Sequence, residues 1–165
     1  MRLACADVLP FRFDDYAVEI LGYIEGVEKK LSDQHDSTMT LSDVKSAVEE
    51  WKNVASALHA AVDSSLDRDT APQAINEGLM GMERCFIPSS GLPGRAWFRH
   101  LIYAPGPITG YAAQLLPGIT GPLEDSTSPD SSRTASMRRE TDILVTAVHN
   151  ATEATKRLMK AANVR

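Results

Sequence analysis

The residues that could do chemistry in this chain are few, and their spacing does not suit it. The histidines are His35, His59, His100 and His149. None belongs to an HExxH helix pair or stands at ligand spacing from a cysteine, so a metal site would need distant parts of the chain to meet. Cys5 and Cys85 are too few for a disulfide scaffold or a zinc cage. No GxSxG elbow, GxGxxG turn or P-loop is present. Glu49 and Glu50 fall within a helical pattern rather than a cleft, and Glu83–Arg84 reads as a helix-surface or loop-anchoring pair. His59 is expected on or near a packed helix face as a hydrogen-bonded structural histidine. Asn150-Ala151-Thr152 is formally a glycosylation acceptor, but it lies inside a helical pattern. Sugar there would require Asn150 to face solvent in a lumenal protein. No catalytic residue, metal ligand or cofactor is assigned to this chain.

Polar chemistry concentrates in one segment, with Arg95, Trp97, Phe98, Arg99, His100 and Tyr103 close together. Arginines set among rings can grip a carboxylate or phosphate through the guanidinium fork. They can also tie down their own loop. The second reading has Arg95 and Arg99 holding the loop to a neighbouring helix, with Glu83 as the available acceptor.

The elements that must position this segment are helical. Residues 40–63 carry Leu41, Val44, Val48, Trp51, Ala55, Leu58 and Val62 at alternating steps of three and four. That spacing draws one apolar stripe along a helix of about 40–64, with Lys45, Glu49, Lys52 and Asn53 opposite. Thr40 with Asp43 three residues on resembles a capping box. Before it, Asp14 can cap a helix over 14–31 with Ala17, Ile20 or Leu21, Ile24, Val27 and Leu31 inward. Gly22 and Gly26 either weaken that helix or mark close packing of a neighbour. A third helix over 72–87 starts at Pro72, buries Ile75, Leu79, Met82 and Phe86, and stops at Pro88. The last spans 136–162 with a stripe of Thr141, Leu144, Val148, Ala151, Thr155 and Leu158, flanked by Ile143, Ala147 and Ala154.

Between the third and last helices, residues 88–122 are dense in proline and glycine, yet hold Trp97, Phe98, Tyr103 and Tyr111. So many aromatics imply an ordered excursion with buried rings rather than a slack linker. Residues 124–135 are polar and read as mobile. The expected fold is all-α: a four-helix bundle with this long Pro/Gly/aromatic loop laid over it.

A chain of 165 residues supports one domain with a real core, and 43% hydrophobic with 24% charged residues is ordinary for a globular protein. A formal charge of -5 gives no support for nucleic-acid binding, and the basic residues of the last helix are accounted for by a solvated face. No run approaches the ~20 apolar residues of a membrane span, and the start lacks a signal-peptide core. That pattern is expected of a cytosolic protein or an excised soluble piece without direct membrane contact.

Several blocks resemble a known family: LPFRFDDYAVEI near the start, NEGLMGMERCFI in the middle, then GLPGRAWFRHLIYAP followed by GYAAQLLPGI. They are similar to the transferrin receptor-like dimerisation domain, the C-terminal helical domain of the glutamate carboxypeptidase II and transferrin receptor group. The resemblance implies an M28-type peptidase domain and a protease-associated domain elsewhere in the parent. It implies that residues 1–10 are the tail of the peptidase-like domain and 11–165 the helical module. Zinc would then belong to the missing domain, and the parent would be a type II membrane protein with this module extracellular or lumenal. The module itself would be noncatalytic and would form a homodimer. In the carboxypeptidase branch a Lys-Tyr-Ala-Gly run touches the substrate's glutamate, and Gly110-Tyr111-Ala112-Ala113 stands at the matching place. Tyr111 is thus the substrate-pocket contact the resemblance implies, with the lysine replaced by glycine. A small-residue face of Ala147, Ala151, Ala154 and Leu158 on the last helix is the expected dimer face.

Overall fold

A computed structural model describes residues 7–34, 39–65, 72–107 and 110–163. Its helices are α1 (Phe13–Asp33), α2 (Ser42–Ser65), α3 (Pro72–Gly81), α4 (Pro117–Glu124) and α5 (Asp130–Asn163). A 3-10 helix, Met82–Phe86, continues directly from α3. Strands β1 (Tyr103–Pro105) and β2 (Ala113–Leu115) form an antiparallel hairpin with Ala104 opposite Gln114. The fold is all-α apart from that hairpin.

Periodicity explains the main packing. Every position of the α2 stripe, from Leu41 to Val62, is buried, as is the α1 stripe of Ala17, Ile20, Ile24, Val27 and Leu31. On α5 the stripe Thr141, Leu144, Val148, Ala151, Thr155 and Leu158 is buried against α2, which it packs along most of its length. Trp51 stands where these faces meet, fully enclosed, with ring centroids 5.4 Å from Phe86 and 6.1 Å from Phe13. Its indole N–H donates to Thr155 Oγ1 at 3.0 Å, and the Thr155 hydroxyl donates in turn to the Ala151 carbonyl at 2.7 Å. One polar pair therefore fixes the register of α2 on α5 inside an apolar core.

Helix boundaries depart from the periodic reading where side chains stop repeating. The Thr40 hydroxyl accepts from the Ser42 N–H at 3.3 Å, so α2 begins at Ser42, two residues after the expected start. The third helix changes to 3-10 geometry at Met82, which keeps Met82 and Phe86 buried while tightening the last turn. α5 begins at Asp130, well before residue 136, so its first turns are helical although they carry no apolar stripe. Arg133 fastens them, donating Nη1 to the Asp125 carbonyl at 2.9 Å and Nη2 to the Asp130 carboxylate.

The segment expected to be irregular contains α4. Leu116 turns the chain from β2 into it with φ of 46°, a left-handed conformation that costs a non-glycine residue about 1–2 kcal/mol. The side chain is buried by that turn, and Pro117 supplies a first helical residue that needs no N–H partner. Gly118 then lets α4 lie close to α5, since a Cβ there would meet Glu140 Oε2 at 2.8 Å. Gly22 and Gly26 behave oppositely. A Cβ on either would meet nothing within 4 Å, so they do not mark close helix packing. They line an open cleft of about 400 Å³ between α1, the hairpin and α4.

Candidate functional site: the aromatic loop and the outer faces of the helices

The loop is fastened through Glu83, by partners other than the arginines. Glu83 Oε1 accepts from the Tyr16 hydroxyl at 3.1 Å and from His100 Nε2 at 2.8 Å. His100 Nδ1 accepts from the N–H groups of Ile102 and Tyr103, which assigns the ring proton to Nε2 and makes it the donor to Glu83. Tyr103 stacks on Tyr16 at 6.1 Å and meets Tyr23 edge-on at 6.0 Å. Burial and the nearby carboxylate raise the Tyr16 phenol well above its ordinary pKa, so it stays a donor. Tyr16 and Tyr23 are seven residues apart on α1 and so share a face, a spacing that was available in the sequence as a sign of a second packed surface.

Arg95 is an anchor, but it grips the hairpin instead of the third helix. Its Nη1 donates to the Pro105 carbonyl at 2.7 Å, its Nη2 to Gln114 Oε1, and its guanidinium lies 5.6 Å from the Phe98 ring centre. Arg99 is exposed and makes no hydrogen bond or ion pair among the described residues. Nor are all the loop's rings buried. Trp97 is 90% exposed and Tyr111 is 97% exposed, near the hairpin tip where Gly110 adopts φ of 70°. Rings this open on an otherwise fastened loop form a surface, not a core.

The expected dimer face divides. Ala147, Ala151 and Leu158 are buried within the chain's own bundle, and only Ala154 is half-buried. The two alanines let α5 approach its neighbours, Leu158 packs over Gly78 of α3, and that intramolecular packing removes all three from the surface. Beside them a shallow groove runs between the 3-10 helix and α5, lined by Cys85, Ile87 and Ile143 and by the exposed charged residues Arg84, Arg138, Arg139 and Asp142. Ile87 is 45% exposed there.

His59 takes a structural role at the start of α1. Its Nε2 accepts from the Phe13 N–H at 3.1 Å and lies 3.3 Å from Asp14 Oδ1. Burial lowers the imidazole pKa despite that carboxylate, while the Arg12 guanidinium holds the Asp14 carboxyl down at about 2. His149 and Asn150 are exposed on α5, and the Thr152 hydroxyl is turned inward onto the Val148 carbonyl at 2.9 Å. His35 and Cys5 lie outside the described residues. Burial raises the pKa of the half-buried Cys85 thiol, which favours the less reactive protonated form. No group of three or more histidine, cysteine or acidic side chains able to hold a metal gathers among the described residues. No helix among them is long and apolar enough to cross a membrane.

Comparison with known proteins finds relatives among peptidase-like proteins. A probable glutamate carboxypeptidase of Arthroderma benhamiae is 29% identical over 127 residues, covering 74% of this chain and 17% of that protein. A probable glutamate carboxypeptidase of Arabidopsis thaliana is 27% identical over 131 residues, covering 76% of the chain and 18% of the relative. An inactive zinc metalloprotease of Schizosaccharomyces pombe is 29% identical over 93 residues, 56% of this chain and 11% of that one. The chain thus spans less than a fifth of the length of these curated relatives. Residues 39–156, from just before α2 to deep within α5, match the family model described as the transferrin receptor-like dimerisation domain, and the chain belongs to that family.

Proposed function

We propose that this chain is the noncatalytic dimerisation module of a larger glutamate carboxypeptidase- or transferrin receptor-like protein, and that it associates with a second copy of itself. The family match across α2 to α5 carries this reading. The partner copy would cover the groove between the 3-10 helix and α5, because the small residues of α5 are already occupied by the bundle. An isologous two-fold contact lets one patch bury itself, and a standard interface of roughly 800 Å² per partner is a small part of the 9922 Å² surface. Residues 1–10 would be the tail of an adjoining peptidase-like domain, and the exposed Trp97 and Tyr111 rings would meet that domain. Any zinc would reside there. Sedimentation over a wide concentration range tests the reading, with a reversible monomer–dimer equilibrium expected. A species that stays monomeric at the highest soluble concentration would assign dimerisation to the whole parent.

A second reading, favoured by the exposure of Tyr111 at the hairpin, makes the module a wall of an active peptidase's substrate pocket. Gly110 supplies no cation where the carboxypeptidase branch has lysine, so a tyrosine hydrogen bond to a substrate carboxylate could persist without the charge contact. In the parent protein, Tyr111→Phe would then raise KM for substrates with an acidic C-terminal residue. An unchanged KM would leave the module with association alone.

A further inference from the structure

At the start of α1 one ring nitrogen has both a hydrogen-bond donor and a carboxylate within reach. His59, buried on α2, accepts the buried Phe13 N–H with its Nε2 at 3.1 Å. Asp14 Oδ1 stands 3.3 Å from the same Nε2. A nitrogen that accepts from Phe13 carries no proton, so it turns a lone pair toward that carboxylate and gains no bond from it. A protonated Nε2 would bond Asp14 and set its own N–H against that of Phe13. The ring therefore serves one neighbour at a time, and a proton decides which. Asp14 is already claimed by Arg12, which donates Nε to Oδ1 at 3.1 Å and Nη2 to Oδ2 at 2.8 Å. Arg12 closes the short segment 7–12 that leads into α1. Its far end is held separately by Asn76 of α3, which accepts the Leu9 N–H at 2.8 Å and donates to the Asp7 carbonyl at 2.9 Å.

We propose that the junction between this lead-in and α1 is a proton-operated latch, in which His59 exchanges the Phe13 N–H for the Asp14 carboxylate. With the ring neutral, His59 holds Phe13 and Arg12 holds Asp14. With the ring protonated, Nε2 donates to Asp14 Oδ1, competes there with Arg12 Nε, and leaves the Phe13 N–H without its acceptor. A buried N–H in that position favours opening toward water. The turn at Arg12 and Phe13 then loosens, while Asn76 keeps the far end of the lead-in docked and the core between α2 and α5 stays closed. The charged groups facing the ring are Arg12, Asp14 and Asp15 on the α1 side and Asp63 on α2. Burial sets the titration of His59 below the ordinary 6.5, and Asp14, held at about 2 by the Arg12 hydrogen bond, stays ionised throughout it. The change is local to one end of the bundle and stands independently of self-association.

The test is nuclear magnetic resonance of the full chain, ¹⁵N-labelled, as pH is lowered from about 8 to about 4.5. Long-range spectra follow the His59 ring nitrogens and amide spectra follow Phe13. Hydrogen exchange, corrected for its intrinsic pH dependence, compares Phe13 with Val48 in the α2 core. Nε2 should gain the proton, and the Phe13 amide should shift with the same midpoint. Protection at Phe13 should fall by about tenfold or more while that at Val48 holds. Asp14→Asn removes the carboxylate that receives the protonated ring, so the His59 midpoint should move down. His59→Gln keeps an acceptor for Phe13 and does not titrate, so the Phe13 amide should become indifferent to pH across this range. The latch is overturned if Phe13 ignores protonation of His59, if it titrates equally in His59→Gln, or if Asp14→Asn leaves the His59 midpoint in place. Loss of protection at Val48 in step with Phe13 would also overturn it, since the whole bundle would then be opening.

Discussion

At Thr155 a single hydroxyl decides whether the core's largest ring is satisfied. It accepts the Trp51 N–H at 3.0 Å while wholly buried. Thr155→Val keeps the shape and leaves that N–H without an acceptor, so it should cost about 1–3 kcal/mol in urea unfolding. Valine at wild-type stability would mean that the pair contributes nothing. The start of α1 gives a pH dependence of definite sign. Neutral His59 accepts the Phe13 N–H, and burial depresses its folded pKa below the ordinary 6.5 of an imidazole. The unfolded chain therefore binds its proton first, so stability is present above 6.5 and falls as pH drops through that value toward the folded pKa. Asp14 adds a second loss at lower pH, because its stabilisation is present above 3.8 and disappears as pH falls through about 2. His59→Gln keeps an acceptor but does not titrate, so the first slope should flatten and the second remain. A slope unchanged in His59→Gln would place the first titration on another group.

Among the elements, the glycines of α1 and α4 should respond in opposite directions. Gly22 and Gly26 face open space within a long helix, so alanine at either should stabilise the chain by roughly 1 kcal/mol through helix propensity alone. Gly118→Ala should destabilise it, since the new methyl meets Glu140 Cβ at 3.1 Å as well as the carboxylate. Equilibrium unfolding of the three variants checks both signs, and a stabilising Gly118→Ala would mean that α4 can shift along α5. The same comparison explains what could be read in advance. The stripes of α1, α2, α3 and α5 repeat at helical spacing, so their faces were legible. α4 was not, because Pro117, Gly118, Gly121 and Pro122 erase both periodicity and propensity in its eight residues. Contact with α5 and the left-handed Leu116 fix it instead. The start of α5 was hidden for the same reason, with no core-facing residue before Met137. The aromatic loop was recognisable as ordered, and Glu83 as a fastening point. The pairing of Glu83 with His100 and Tyr16, and of Arg95 with Gln114, depends on a hairpin whose strands have three residues each, too short to leave an alternating pattern.

For the whole molecule, the proposed self-association must use surface that folding leaves uncovered, which separates two substitutions on neighbouring elements. Ala147 is 5% exposed, so Ala147→Asp places a charge in the bundle and should unfold the chain or lower its stability by several kcal/mol. Loss of a dimer in that variant would say nothing about an interface. Ile87 is 45% exposed at the mouth of the groove beside α5, so Ile87→Asp costs the monomer little. If a second copy covers this groove, the variant buries a carboxylate against apolar atoms in the dimer only. Cys85 and Ile143 beside it offer no counter-charge, and the charged residues of the lining, Arg84, Arg138, Arg139 and Asp142, are exposed. The expected outcome is a loss of at least tenfold in dimer affinity by sedimentation, about 1.4 kcal/mol or more, with helicity and unfolding midpoint near wild type. An arginine at the same position would meet a lining whose three arginines outnumber its one aspartate, so Ile87→Arg should also weaken association at low salt and recover part of the loss as salt screens those charges. Dimers of unchanged affinity in both variants would exclude this groove as the contact, and a dimer would then draw on the other exposed apolar side chains among the described residues, Phe11, Val18, Met80, Trp97 and Tyr111.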